Sequence, residues 1–310
     1  DWRDSQEEQS KADLELLAFA REEINRLNAR HNGDGVDRFH LLHRKRLYNE
    51  AQGCWMGWER KRGKLHELNL LLRGDGDTTF FPPDRPLPQN VVHVMTLDAD
   101  TKVTRDAITK LVGKLMHPLN RPEIDAAKRK VDAGYSILQP RVTPSLTTGD
   151  DASFFQRAFS SNRGLDPYVF AVSDVYQDLF GEGTFTGKGL YHIDAMETAL
   201  AGKLPENTVL SHDLLEGSLA HCALVTDVEV VEDYPTRYSV DASRQHRWAR
   251  GDWQLLPWIL GGRQTGKTSD QHAMPMVGMW KMADNLRRTL VAPTTVAALV
   301  VGWTLGHNCS

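Results

Sequence analysis

The sequence predicts an α/β fold, and three observations carry that expectation. Helix-like and strand-like pieces alternate from about Val91 to about Val231, as in a sheet covered by helices. The run VVHVMTL at 91–97 is short and apolar, follows a proline-rich loop and reads as a buried strand. With 310 residues, 40% of them hydrophobic, the chain can build one large core or two small ones.

The elements follow in chain order. Residues 5–30 are expected to be helical, because Leu14, Leu17, Ile24 and Leu27 fall near one helical stripe and His31-Asn32-Gly33 ends it. Residues 39–46 can form a strand. Residues 64–73 read as a helix closed by Gly74; a loop marked by Asp75, Gly76, Asp77, Pro82, Pro83, Pro86 and Pro88 comes next. Beyond the strand at 91–97, a helix is expected over about 105–116 and a strand over 135–139. Residues 239–260 are helical by pattern and rich in tryptophan. Residues 274–288 are amphipathic.

The stretch 289–306, TLVAPTTVAALVVGWTLG, carries no charge and follows Arg287 and Arg288. It reads as a first membrane span entered from the positive, cytoplasmic side, or alternatively as a buried core helix. Pro293 followed by the stop at Ser310, and a start at Asp1 without a leading element, are expected of a piece of a longer polypeptide. The expected organisation is a catalytic domain over 1–250, interfacial helices over 251–288 and the start of a transmembrane region over 289–310.

Composition excludes some classes. The formal net charge is −4 and no polybasic field is present, so nucleic acid is not an expected partner. Cys54, Cys222 and Cys309 are far apart, which argues against a disulfide framework or a zinc ribbon and fits a reducing, cytosolic-side environment.

Four features can carry chemistry. Asp98 and Asp100, in LDADT, put two carboxylates just past an apolar strand, where α/β sheets bind ligands. Hard oxygens there suit Mg²⁺ or Mn²⁺ on a diphosphate, although such pairs also occur in plain surface turns. Asp213, in SHDLLEG, reads either as a general base for a sugar hydroxyl or as a helix cap. Arg244, Arg247 and Trp248, in RQHRW, share a helix face at spacings of three and four. They can hold a diphosphate and a sugar ring, or be an ordinary amphipathic surface. GEGTFTGKGLY at 181–191 brings four glycines close together, which lets backbone approach a ligand, or makes a hairpin. It lacks the Gly-Lys-Ser/Thr end of a Walker loop.

The order of these motifs adds to each. DAD, then QPRV at 139–142, a Gly-Thr loop, an xxD and an xQxRW resemble the processive inverting glycosyltransferases of the cellulose, chitin and hyaluronan synthase type, in register from about Val91 to Trp253. The resemblance is greatest to the cyclic β-1,2-glucan synthases. Three blocks carry it: GCWMGWERKRGKLHELNLLLRG at 53–74, GEGTFTGKGLYHIDAME at 181–197 and VVEDYPTRYSVDASRQHRWARGDWQ at 230–254.

That resemblance implies a GT-A-like αβα sandwich with a mostly parallel sheet, a bacterial-type inner membrane location and a cytoplasmic catalytic domain. It implies UDP-glucose as donor and a growing glucan as acceptor. Asp98 and Asp100 would bind Mg²⁺ or Mn²⁺ and the diphosphate, and Asp213 would deprotonate the acceptor 2-hydroxyl. Lys64, Arg244, Gln245, Arg247 and Trp248 would contact the donor; Gly183, Thr184 and Trp248 would contact the acceptor. Tyr191, with Lys188 nearby, is a candidate to prime the chain, against a reading as a packed strand residue.

Two positions depart from the wider synthase pattern: Ser211-His212 stands where Thr-Glu is common, and Arg244 stands where the first glutamine of QxxRW belongs. The strand that would hold the nucleotide base is expected to lie before Asp1 or include it. Segment 252–260 and the helix at 274–288 are expected at a membrane interface, with a core helix as the other reading of the first. The alternatives are another membrane polysaccharide synthase, a glycoside hydrolase or phosphorylase, which would need no DxD, and an inactive glycan-binding module.

Overall fold

The computed structural model describes residues 1–31, 33, 35–127, 129–145, 152–159, 174–209, 213–260 and 274–305. It divides into two compact units, Asp1–Val92 and His93–Ser310. The division falls inside the stretch 1–250 that was expected as one domain, just beyond the proline-rich loop.

In the first unit, helix α1 (Lys11–His31) opens where Ser10 and Asp13 cap one another. The Ser10 backbone N–H donates to the Asp13 carboxylate at 2.9 Å, and the Asp13 N–H donates to the Ser10 hydroxyl at 3.2 Å. Buried Asn28 on α1 accepts from the N–H groups of Arg38 and Phe39 and donates to the Phe39 carbonyl. The chain returning past α1 is thereby fastened by a side chain. The strand expected at 39–46 is reduced to a bridge between Arg44 and Phe80, and true pairing begins with the hairpin β1 (Leu47–Asn49) and β2 (Cys54–Met56). Helix α2 (Arg60–Leu72) ends as expected, with Gly74 at φ 87.

The second unit begins with β3 (His93–Thr96), β4 (Thr101–Val103), α3 (Ala107–Leu115), the β5 (Glu123–Asp125) and β6 (Lys130–Ala133) hairpin, and β7 (Ile137–Pro144). After α4 (Phe154–Phe159) and α5 (Val175–Phe180) come β8 (Gly189–His192), α6 (Ile193–Leu200), α7 (Asp213–Ala220) and β9 (Cys222–Glu232). Helices α8 (Tyr238–Gln254), α9 (Leu256–Ile259) and α10 (Met276–Leu305) complete it.

Five strands form one sheet in the order β3-β8-β7-β9-β4. This corrects the expected mostly parallel sheet: only β7 and β9 run parallel, while β3–β8, β7–β8 and β4–β9 are antiparallel. Alternation of helices and strands fixes that a sheet is covered, not which way each strand runs. Pro140 is tolerated in β7 because β8 pairs only with Ile137 and Leu138, and the β7–β9 register shifts just after it. Ala107, Leu111 and Leu115 recur every fourth residue on α3 and pack on Leu138, Leu190, Ala223, Val225 and Val228. Each such large side chain contributes about 1.5–3 kcal/mol by leaving water.

Leu255 and Trp258, from the apolar segment at 252–260, are buried with Leu214, Leu215 and Met282. They are core, so the core reading of that segment holds for these two side chains, while Trp253 and Leu260 stay exposed. The expected membrane span is not found: among the described residues no helix is long and apolar enough to cross a membrane. The first half of α10 carries Lys281, Asp284, Arg287 and Arg288, and its uncharged run reaches only Leu305 before the described residues end.

Candidate functional site

Strand β3 ends at Thr96, and the chain turns at once: the Thr101 N–H donates to the Asp98 carbonyl at 3.1 Å, and the Asp98 N–H donates to the Thr101 hydroxyl at 3.2 Å. This turn feeds β4, which lies against the end of β9, so Thr101 pairs with Glu232. Asp98, Asp100 and Glu232 are thereby gathered, with one carboxylate oxygen from each lying within 4.8 Å of the others. All three donors are hard oxygens, the set that Mg²⁺ and Mn²⁺ take.

A cation already sits among them. Lys188 Nζ is 2.8 Å from the Glu232 carboxylate and 3.2 Å from that of Asp98, with its side chain 13% exposed. Burial works to lower the pKa of this ammonium, but Glu232 and Asp98 outweigh it and hold it above its ordinary value.

Lys188 is set in place by its flanking glycines. The Thr96 hydroxyl is 3.2 Å from the Gly187 carbonyl and accepts from the Gly189 N–H at 3.3 Å. Gly187 has φ +82, and a Cβ there would come within 2.8 Å of the Asp213 carboxylate. Asp213 opens α7 and lies against the residue next to Lys188. Ser211 and His212 lie outside the described residues.

Gln139, fully buried on β7, accepts from the Thr186 N–H at 2.9 Å and so fastens the glycine-rich loop to the sheet. Behind that loop, buried Lys281 of α10 donates to the Gly183 carbonyl at 2.8 Å. Gly183 admits no side chain, since a Cβ would lie 2.4 Å from the Leu224 nitrogen. Thr184 is 5% exposed and its hydroxyl is buried without a hydrogen-bond partner. Both residues therefore face inward.

On α8 the expected face divides. The Arg244 guanidinium lies 5.0 Å from the Trp248 ring centre and 5.9 Å from that of Tyr234, and pairs with Asp241. Gln245 and Arg247 are exposed. Lys64 is half-buried on α2, in the other unit. Tyr191 is 0% exposed in β8, between Val94 and Ile137. Its side chain is packed within the sheet.

Glu232 was not anticipated, and Lys188 only as a neighbour of Tyr191. The available signals were the GKG spacing and the carboxylate that ends VVE, neither distinctive without the register that joins β4 to β9.

No family model matches the chain. Over 303 residues, 98% of its length, it is 62% identical to cyclic beta-(1,2)-glucan synthase NdvB of Rhizobium meliloti (strain 1021). The chain is a homologue of one segment of that synthase. It spans 10% of the synthase's length. The resemblance drawn from the three sequence blocks is thus shown. The segment homologous to the synthase includes the DAD turn, the glycine-rich loop and the RQHRW helix.

Proposed function

We propose that the chain is the glucosyltransferase segment of a cyclic β-1,2-glucan synthase, moving glucose from UDP-glucose to a growing β-1,2-glucan with inversion at the anomeric carbon. One observation supports this reading: the DAD turn and Asp213, more than a hundred residues apart, both lie against the GKG turn, Asp98 through its ion pair with Lys188 and Asp213 against Gly187. A hydrolase or a binding module gives no reason for a DAD turn beside a base.

Asp98 and Asp100, with Glu232 beside them, would hold Mg²⁺ or Mn²⁺, which when bound supplies Lewis-acid neutralisation of charge on the departing UDP. Asp213 takes the proton from the acceptor 2-hydroxyl as that oxygen attacks. Gly187 leaves its carboxylate room. Arg247 and Gln245 present exposed polar groups for the donor, and Trp248, its ring held by Arg244, offers a face for the acceptor sugar. Gly183 and Thr184 support the acceptor loop from its buried side. The work would be done at the cytoplasmic face of a bacterial cell membrane, where exposed Val296, Leu299, Val300 and Trp303 of α10 meet lipid.

The test uses the full-length synthase in membranes given radiolabelled UDP-glucose, with linkage analysis of the product. β-1,2-linked glucan is expected, and it should vanish with Asp100→Ala or excess EDTA. Full synthesis in EDTA would overturn the metal role; a product with another linkage would overturn the glucan assignment.

A further inference from the structure

We infer that Lys188 is a donor-site residue, a built-in cation that holds Asp98 and Glu232 in register and turns its ammonium to the diphosphate of the bound nucleotide. This rests on the donor reading above and adds a residue and a recognised group to it.

The argument starts from competition for oxygens. The Lys188 ammonium lies 3.2 Å from Asp98 and 2.8 Å from Glu232, two of the three carboxylates that could share a divalent ion. A divalent ion held by the same oxygens would neutralise them and weaken their hold on the lysine. The ammonium then has lost part of its partnership in a site where its side chain is largely out of water, and a second anion is needed beside it. A diphosphate, whose charge such an ion would share, would be that anion.

The two ends of the ion-pair cluster also differ. The Glu232 side chain is 8% exposed and that of Asp98 is 39% exposed. The ammonium is therefore anchored from the closed side and open toward the DAD turn. Its backbone leaves little freedom to swing elsewhere: Gly187 and Gly189 are both tied to the Thr96 hydroxyl, and a Cβ on Gly189 would meet the Leu138 carbonyl at 2.6 Å. A Cβ on Gly187 would meet the Asp213 carboxylate at 2.8 Å, so Lys188 is flanked by the DAD turn it pairs with and by the residue that lies against Asp213.

A purely structural lysine would matter equally for all uridine ligands, whereas a diphosphate contact would not. The experiment measures binding of uridine, UMP and UDP to the full-length synthase with saturating Mn²⁺, for the native protein, Lys188→Gln and Lys188→Arg. Lys188→Gln should lower UDP affinity about tenfold or more, the scale of a charge-assisted hydrogen bond, and leave uridine within about twofold. Lys188→Arg should keep most of the UDP preference. UDP binding unchanged in Lys188→Gln, or uridine and UDP lost in equal proportion, would overturn the inference.

Should Lys188→Gln not fold, Glu232→Gln is compared with the Glu232→Gln/Lys188→Gln pair, which removes the buried charge from both sides. The step from single to double variant reads the lysine alone, and the same loss of the UDP preference is expected; no loss overturns the inference. Absence of UDP binding by the native synthase would instead overturn the donor reading beneath it.

Discussion

In each unit of this chain a buried cation lies between two carboxylates, Arg44 in the first and Lys188 in the second, and the two are built to opposite ends. In the first, Arg44 has a side chain with no exposure and every nitrogen engaged: with Asp1, with Glu67, and with the carbonyls of Trp58 and Arg60. In the second, Lys188 meets Glu232 in the interior and Asp98 at a partly exposed edge. The guanidinium fork fixes five donors in a plane and suits a sealed knot. The ammonium is a compact charge on a flexible stem and can change partners. The same charge arithmetic makes a strut where it is closed and a site where it is open.

The comparison can be broken most strongly at Arg44. Arg44→Met leaves Glu67 as a buried charge without its cation and should cost about 3–5 kcal/mol. Hydrogen exchange of the α2 amides reads it; protection unchanged in the variant would show that the knot is not structural. Lys188→Gln should leave those amides as they were.

At the open site the expected loss is in rate. Asp213→Asn should lower glucan synthesis by about a hundredfold or more while UDP-glucose still binds. A rate above roughly a tenth of native would make Asp213 a helix cap and not a base.

Gly187→Ala sharpens the comparison further. It places a methyl group against the Asp213 carboxylate at a φ of +82. The backbone strain should cost about 1–3 kcal/mol, and synthesis should fall further than donor affinity, which the neighbouring Lys188 also serves. Equal losses in synthesis and UDP-glucose binding would mean that the turn serves the donor and not the base.

The smallest effect concerns Asp13 in the first unit. The hydrogen bond from Arg46 leads the causes that hold its carboxyl down at about 2. A depressed carboxyl stabilises the fold at pH values above its ordinary value near 4, and that contribution is lost as pH falls through about 2. Asp13→Asn should flatten the pH dependence of α1 protection over that window, by an amount on the order of 1 kcal/mol. An unaltered slope in the variant would assign the acid sensitivity to other carboxylates.

Much of the fold was legible. Helix α3 follows from the spacing of Ala107, Leu111 and Leu115, and β3 from a short apolar run behind prolines. The close of α2 follows from Gly74. Of the candidate site, Asp98, Asp100 and Asp213 were legible as motif residues. Strand direction was not, because helix–strand alternation is the same for parallel and antiparallel neighbours. Nor was the burial of Thr184, since the face a loop residue presents depends on how the loop is fastened to the sheet, here through Gln139. Arg244 and Arg247 share a sequence motif yet differ in burial, because Tyr234 and Trp248 enclose only the first.

What the sequence by itself determined is local and periodic: where helices and strands form, where glycine ends them, and which carboxylates follow an apolar strand. Homology to a segment of a glucan synthase is likewise a property of residue order alone. Only the tertiary structure decided that Glu232 stands beside Asp98 and that Lys188 lies between them. Residues 98 and 232 meet because β4 folds back through the turn at Asp98 and pairs with the end of β9. Short-range patterns carry no information about that pairing; hydrogen bonds between distant strands do.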